Sequence, residues 1–271
     1  MSRYEFGRTV IDYEVIGDGI PILFLHGWGV DRRIMSGAFE PLFSSGEVSG
    51  FRRIYIDLPG MGKSSAGDVS SADDILNVLY GFVREVIGSS FILAGESFGG
   101  YLARGFLCRY PQLLRGILLL CPLMIPGFRQ GHAVPLRVIE RDDEFLKTLT
   151  KQEYDSFTFM NVILTREVWE RYKRDVLPAL EEADSRFLNE VLDGSFSFDP
   201  DASERECTLP CLVITGRQDT EVGYTDQLSL LERFVNATYC VVSAAGHNLQ
   251  LEQPEMFGAL VKQWLCGSEF Q

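Results

Sequence analysis

Ser97 lies in Gly95-Glu96-Ser97-Phe98-Gly99-Gly100, a glycine-flanked serine of the G-x-S-x-G kind. A serine hydroxyl is a poor nucleophile near neutrality unless a neighbouring base takes its proton. An apolar run, residues 91–94, precedes the pattern, and a helical stretch, 101–109, follows it. That is the setting of a nucleophile elbow: the chain reverses so sharply that the serine sits in a strained conformation with its hydroxyl clear of the sheet. Side chains at Gly95 and Gly99 are expected to collide across this turn. The Phe98 N–H faces the same space, at a helix start where developing negative charge is favoured. The bland alternative is a glycine-rich turn without chemistry.

The proton acceptor has few candidates. Histidine titrates near neutrality, and the chain has three: His26, His132 and His247. His247 lies in Gly246-His247-Asn248, just after the last apolar run, 239–242, on a loop at a strand's carboxyl end. His26 precedes the serine, and the chain order serine, acid, histidine selects His247. His132 falls in the insertion, residues 122–206, and is expected at the surface or lining the cap.

The base needs an acid on its other ring nitrogen to fix the tautomer and stabilise the imidazolium. Asp219, in Gly216-Arg217-Gln218-Asp219, directly follows the run 212–215. Glu221 is the alternative, and Asp226 reads as a first-turn helix residue. For the oxyanion of an acyl-transfer intermediate, Phe98 is the first amide donor. Trp28, in His26-Gly27-Trp28-Gly29, is the second. The Trp28 side chain either lines the pocket or joins the core.

These residues need elements to hold them. Short apolar runs alternate with amphipathic stretches, the mark of parallel strands joined by helices. Strands are expected at 8–15, 22–25, 53–56, 91–94, 117–120, 212–215 and 239–242. Helices are expected at 71–87, 101–109, 227–234 and 254–265, the first opening on a Ser71/Asp74 capping pair. Between 122 and 206 no buried strand is expected; long charged helices at 140–149 and 166–192 replace the alternation. The reading is an α/β core formed by residues 1–121 and 207–271, with a helical cap, 122–206, inserted in it.

The net charge is −13, which argues against nucleic-acid backbones and anionic membranes. The longest apolar run is too short to span a bilayer. Six cysteines occur with no C-x-x-C pair, and the N-terminal residues lack a signal-peptide apolar stretch, so a reducing cytoplasm is expected. Gly62-Lys63-Ser64 looks like the end of a P-loop, but Asp57 stands where that motif needs glycine. No cofactor and no metal are expected.

Together His26 to Gly29, Asp57 to Ser64, Gly95 to Gly100, Gly216 to Asp219, Gly246-His247 and the closing Leu251 to Glu255 resemble the α/β-hydrolase superfamily, in its cap-bearing branch. The match covers most of the chain. The resemblance implies a mostly parallel eight-stranded sheet flanked by helices, a cap over the serine, and Asp57 to Ser64 as a structural loop. Dehalogenases and epoxide hydrolases of this fold carry Asp at the elbow, so Ser97 implies acyl transfer through a serine ester.

The expected function is a serine hydrolase of a small or medium acyl substrate, a carboxylic ester foremost, acting as monomer or homodimer. A carbon–carbon bond hydrolase, a non-hydrolytic lyase or receptor of the same fold, and an interaction module using the insertion are the alternatives. Phe98, Met124, Phe128, Phe157, Phe159 and Met160 are candidate pocket residues; the alternative is that they pack the cap. Tyr154 and Trp169 are open between the same two fates.

Overall fold

The computed structural model describes residues 2–124, 132–201, 205–267 and 270. Its first part runs β1 (Ser2–Phe6), β2 (Thr9–Ile16), β3 (Ile20–Leu25), α1 (Arg32–Ser44), β4 (Phe51–Ile56), α2 (Ala72–Phe82), β5 (Phe91–Glu96), α3 (Phe98–Arg109) and β6 (Leu114–Leu120). The stretch before the next core strand holds β7 (Glu140–Arg141), α4 (Asp143–Leu146), α5 (Lys151–Thr158), β8 (Ile163–Leu164), α6 (Arg166–Asp175) and α7 (Leu177–Glu182). The chain closes with β9 (Cys211–Gly216), α8 (Tyr224–Gln227), β10 (Ala237–Val242), α9 (Leu249–Glu252) and α10 (Pro254–Leu265).

Eight strands form one sheet in the order β1-β2-β4-β3-β5-β6-β9-β10. The β1–β2 and β2–β4 pairs are antiparallel and the rest are parallel. Strands β3, β5, β6 and β9 are apolar almost throughout, as strands covered on both faces must be. Helices α1 and α10 cover one face through Ile34, Met35, Phe39, Phe257 and Val261. Helices α2 and α3 cover the other through Ile75, Leu79, Leu102 and Phe106.

A buried ionic hub joins this frame. Arg32 Nη1 reaches Asp12 Oδ1 at 2.6 Å and Asp57 Oδ2 at 3.1 Å. Asp57 also accepts the Lys63 amide at 2.9 Å, and the Ser64 hydroxyl donates to the Asp57 carbonyl at 2.6 Å. The 57–64 loop is thus a structural brace, with Asp57 raised by burial against the pull of its cationic neighbours.

Several elements depart from the sequence reading. An unanticipated edge strand, β1, buries only Tyr4, so apolar alternation could not announce it. The capping pair at Ser71 forms as expected, but the helix from it widens into a π-turn at Val83–Ile87. Helix α3 begins at Phe98 itself, three residues earlier than expected. The 140–149 helix is instead the strand β7 followed by the one-turn α4 capped by Asp142. Buried β8 pairs with β7 in a parallel ribbon, correcting the expectation of no buried strand there. The long 166–192 helix is three pieces: α7 restarts at Leu177 with Pro178 in its first turn, and a separate π-turn covers Phe187–Leu192. The 227–234 helix is α8 followed by a 3-10 turn at Leu228–Glu232. Among the described residues, no helix is long and apolar enough to cross a membrane.

Candidate active site

Ser97 links β5 to α3 with φ 50° and ψ −114°, one of few non-glycine residues at positive φ. Such a conformation is costly and persists only where the surroundings enforce it. They do so here. A Cβ on Gly95 would lie 2.4 Å from the Gly99 carbonyl oxygen. One on Gly99 would lie 2.3 Å from the Leu25 carbonyl oxygen, so this glycine yields to β3 rather than to the opposite side of the turn. The Ser97 amide donates to the Leu120 carbonyl on β6 at 3.0 Å, and the Leu123 amide donates back to the Ser97 carbonyl at 2.9 Å. Phe98, first residue of α3, has no intrahelical acceptor for its N–H.

His247 follows β10 and Asp219 follows β9, and two glycines let the loops touch. A Cβ on Gly216 would lie 2.2 Å from the Gly246 carbonyl oxygen. The result is a hydrogen bond from His247 Nδ1 to Asp219 Oδ2 at 2.9 Å, with both residues buried. Asp219 Oδ1 accepts the amides of Glu221 and Val222 at 2.8 and 3.0 Å. Burial disfavours the His247 imidazolium, but the carboxylates of Asp219, Glu96 and Glu221 outweigh it and lift the ring to about 9. The aspartate is therefore brought to the histidine ring, while Glu221 lines the cavity. The Cys121 thiol lies close enough that Cys121, Asp219 and His247 offer ligand atoms within 4.8 Å of one another. Burial pushes that thiol well up and keeps it protonated, and Nδ1 already donates to Oδ2. The arrangement is a buried imidazole held by a carboxylate at one ring nitrogen.

The other two histidines sit elsewhere. His26 is fully buried, which lowers its pKa. Its Nε2 accepts the Leu58 amide at 2.9 Å, so Nδ1 carries the proton and donates to the Gly27 carbonyl at 2.8 Å. Exposed His132 pairs with Asp226, which lies in the first turn of α8 as expected.

Ser97, His247, Trp28 and Phe98 share a cavity of about 720 Å³. Its apolar wall includes Ile34, Leu123, Phe159, Met160, Tyr172 and Phe196, and its polar wall Glu96, Asn189, Asp193, Glu221 and Asn248. The Trp28 ring lies in that wall, 5.3 Å from the Phe98 ring and edge-on to it. Of the expected pocket residues, Phe98, Phe159 and Met160 line the cavity. Phe157 does not: it is fully buried against Trp169 and Tyr172 in the core of the insertion. Met124 packs on the α2/α3 side of the sheet, Tyr154 packs against the core of the insertion, and Phe128 lies outside the described residues.

Two site residues carried no sequence signal of their own. Glu252 on α9 accepts the Gly246 amide beside His247 and the amides of Val162 and Ile163 in the insertion. Burial raises its carboxyl to about 7 against those amides. Glu96, between Gly95 and Ser97, is 2% exposed and sits on the cavity wall. Glu96 is the last residue of β5, buried like the rest of that strand.

Residues 22–260 match the model of the "Alpha/beta hydrolase family". The fold aligns with an alpha/beta superfamily hydrolase from Oenococcus oeni PSU-1 at a TM-score of 0.87 and 31% identity, covering 98% of each chain. The chain is 26% identical to the pimeloyl-[acyl-carrier protein] methyl ester esterase of Shewanella sp. (strain MR-7), over 96% of both proteins. It is also 26% identical to the 2-hydroxy-6-oxononadienedioate/2-hydroxy-6-oxononatrienedioate hydrolase of Escherichia coli (strain K12), over 97% of this chain and 93% of that protein. With the sheet order, the elbow and the family match in agreement, the chain belongs to the alpha/beta hydrolase family and is a hydrolase of that type.

Proposed function

We propose that the chain is a serine acyl hydrolase with Ser97 as nucleophile, His247 as general base and Asp219 as the orienting acid, acting on a small or medium carboxylic ester. The observation that carries this reading is the His247–Asp219 hydrogen bond at 2.9 Å beside a strained Ser97 in one shared cavity. His247 takes the Ser97 proton as Oγ attacks the carbonyl carbon, and the carbonyl π electrons move to oxygen. The amides of Phe98 and Trp28 hold that oxyanion, each such donor contributing about 3 kcal/mol. Collapse expels the alcohol, which receives the proton from His247. A water molecule then repeats the sequence on the acyl-enzyme, releasing the acid and restoring Ser97. None of these steps calls on a metal or cofactor.

In this reading residues 122–206 are the cap, and Phe159, Met160 and Tyr172 from it close the apolar side of the cavity. Six free thiols suit a reducing cytoplasm. Likeness to the dienedioate hydrolase favours a second reading, carbon–carbon bond hydrolysis. Against a dioate stand the Glu96, Asp193 and Glu221 carboxylates on the cavity wall, which would face like charge. A neutral ester meets no such repulsion.

The test is intact mass after fluorophosphonate treatment of the native chain and of Ser97→Ala, followed by turnover of neutral short-chain esters and of a vinylogous dioate. One adduct on the native chain, absent from the variant, with ester turnover is expected. Labelling with dioate turnover alone would install the second reading, and no labelling of folded protein would remove the nucleophile.

A further inference from the structure

The residue before the nucleophile carries a carboxyl group that the mechanism above does not use. Glu96 ends β5, is 2% exposed, and lies against the oxyanion loop: a Cβ on Gly27 would be 2.7 Å from its Oε2. The same Cβ would lie 3.2 Å from the Ser97 Cβ, so the Gly27 backbone runs close to both Glu96 and the elbow. The Gly27 backbone and the Gln250 side chain are the polar neighbours of the Glu96 carboxyl, and both favour its ionised form. Gln250 belongs to α9, which begins two residues after His247. Three segments therefore converge on one carboxyl: the elbow that carries Ser97, the loop that carries Trp28, and the helix that follows His247. Glu96 Oε2 and both polar atoms of Gln250 are buried and lack a well-formed hydrogen bond among the described residues. A buried polar atom left so costs stability, so each such group at this position asks for an explanation.

We propose that Glu96 is a positioning residue of the hydrolytic site, a second carboxylate that braces the oxyanion loop at Gly27 and holds negative charge beside His247. It rests on the serine-hydrolase reading. Burial raises the Glu96 carboxyl, and the neighbouring His247 opposes that rise while Glu96 in turn favours the imidazolium. His247 also faces Asp219 and Glu221 from the loop after β9, and the Cys121 thiol after β6. Glu252 lies on its own segment, bonded to the Gly246 amide. Glu96 differs from Asp219 in having no bond to the ring: it acts through space and through the loop.

The experiment pairs Glu96→Gln with Glu96→Ala and follows the histidine ring signals of each by NMR from pH 5 to 10, beside kcat and KM across the same range. Glutamine keeps an acceptor for the Gly27 amide and removes the charge; alanine removes both. In Glu96→Gln the His247 midpoint is expected to fall by about one pH unit, as for loss of a nearby opposite charge that favours the imidazolium. His132 serves as the unmoved reference. The acid limb of kcat/KM moves down with it, and Glu96→Gln keeps a plateau kcat about tenfold above that of Glu96→Ala, with KM little changed in both. An unmoved His247 midpoint in folded Glu96→Gln overturns the proposal, and so does equal loss in both variants. The titration needs no turnover. If the native chain fails to label with fluorophosphonate yet the midpoint moves, the serine-hydrolase reading falls and the electrostatic link stands. Should Glu96→Ala not fold, the Glu96→Gln titration decides alone.

Discussion

The imidazole of His26 sets the direction of the Trp28 amide. Its Nδ1–H donates to the Gly27 carbonyl at 2.8 Å while its Nε2 is held by the Leu58 amide at 2.9 Å. Gly27 C=O and Trp28 N–H belong to one planar trans peptide, so they point in opposite directions. Fixing the carbonyl toward the buried ring therefore fixes the Trp28 N–H away from it, on the side of the cavity that Gly27 and Trp28 line. In the proposed mechanism, where His247 is the base, His26 would still bear on the chemistry through the Trp28 donor.

Replacing His26 by alanine should therefore lower kcat by about 10²- to 10³-fold, the loss typical of a displaced oxyanion donor. KM should change little, because the donor acts on charge that develops after binding. The Leu58 amide would be left without its partner, so stability should drop by about 1–3 kcal/mol as well. Steady-state kinetics on the folded fraction, with urea denaturation in parallel, separates the two effects. A variant with native kcat and lowered stability would restrict His26 to a structural role.

Asp219→Asn should lower kcat by about 10⁴-fold with the fold intact, because the amide can present the wrong tautomer to His247. Asp219 Oδ1 also receives the Glu221 and Val222 amides, and the asparagine carbonyl can keep those bonds. A loss of tenfold or less would transfer the acid role to Glu221. Kinetics of Asp219→Asn beside Glu221→Gln makes the assignment.

Activity and stability should respond to pH in opposite senses. The His247 ring stands at about 9 in the folded chain against an ordinary 6.5. Its raised value adds stability in full below 6.5, and that contribution is lost as pH climbs through about 9. The base works only when neutral, so kcat/KM should rise across the same window. Measuring kcat/KM and Tm at points between pH 6 and 9.5 tests both slopes. A rate already flat above pH 7 would place the working histidine nearer its ordinary value.

Much of this site was legible because its residues are marked locally. Ser97, Asp219 and His247 each follow an apolar run and sit among glycines that only a crowded turn requires, and those runs became β5, β9 and β10. The core sheet was readable for the same reason: β3, β5, β6 and β9 are apolar on both faces. The insertion was not. Its helices are short and charged, and α4, a single turn, is held by the Asp142 cap and the burial of Phe145 and Leu146 rather than by any periodic pattern. Phe157 and Phe159 stand two residues apart, yet one is buried in the insertion's core and the other faces the cavity. That choice depends on how α5 meets α6, which no local pattern encodes. Glu96 was hidden by its chemistry, since an acidic residue ordinarily marks a solvated position.

Glu252 closes a circuit between two parts of the molecule with different tasks. One of its carboxylate oxygens holds the Gly246 amide next to His247, and the other holds the Val162 and Ile163 amides at the ribbon of the insertion. On the proposed reading, cover and base thus share a single fastening. If the insertion lifts along this edge, the fastening parts and the histidine loop loses its support at the same moment. In that reading, a site opened along this edge is also a disarmed one, and the proposed base is secured again only when the roof is back in place.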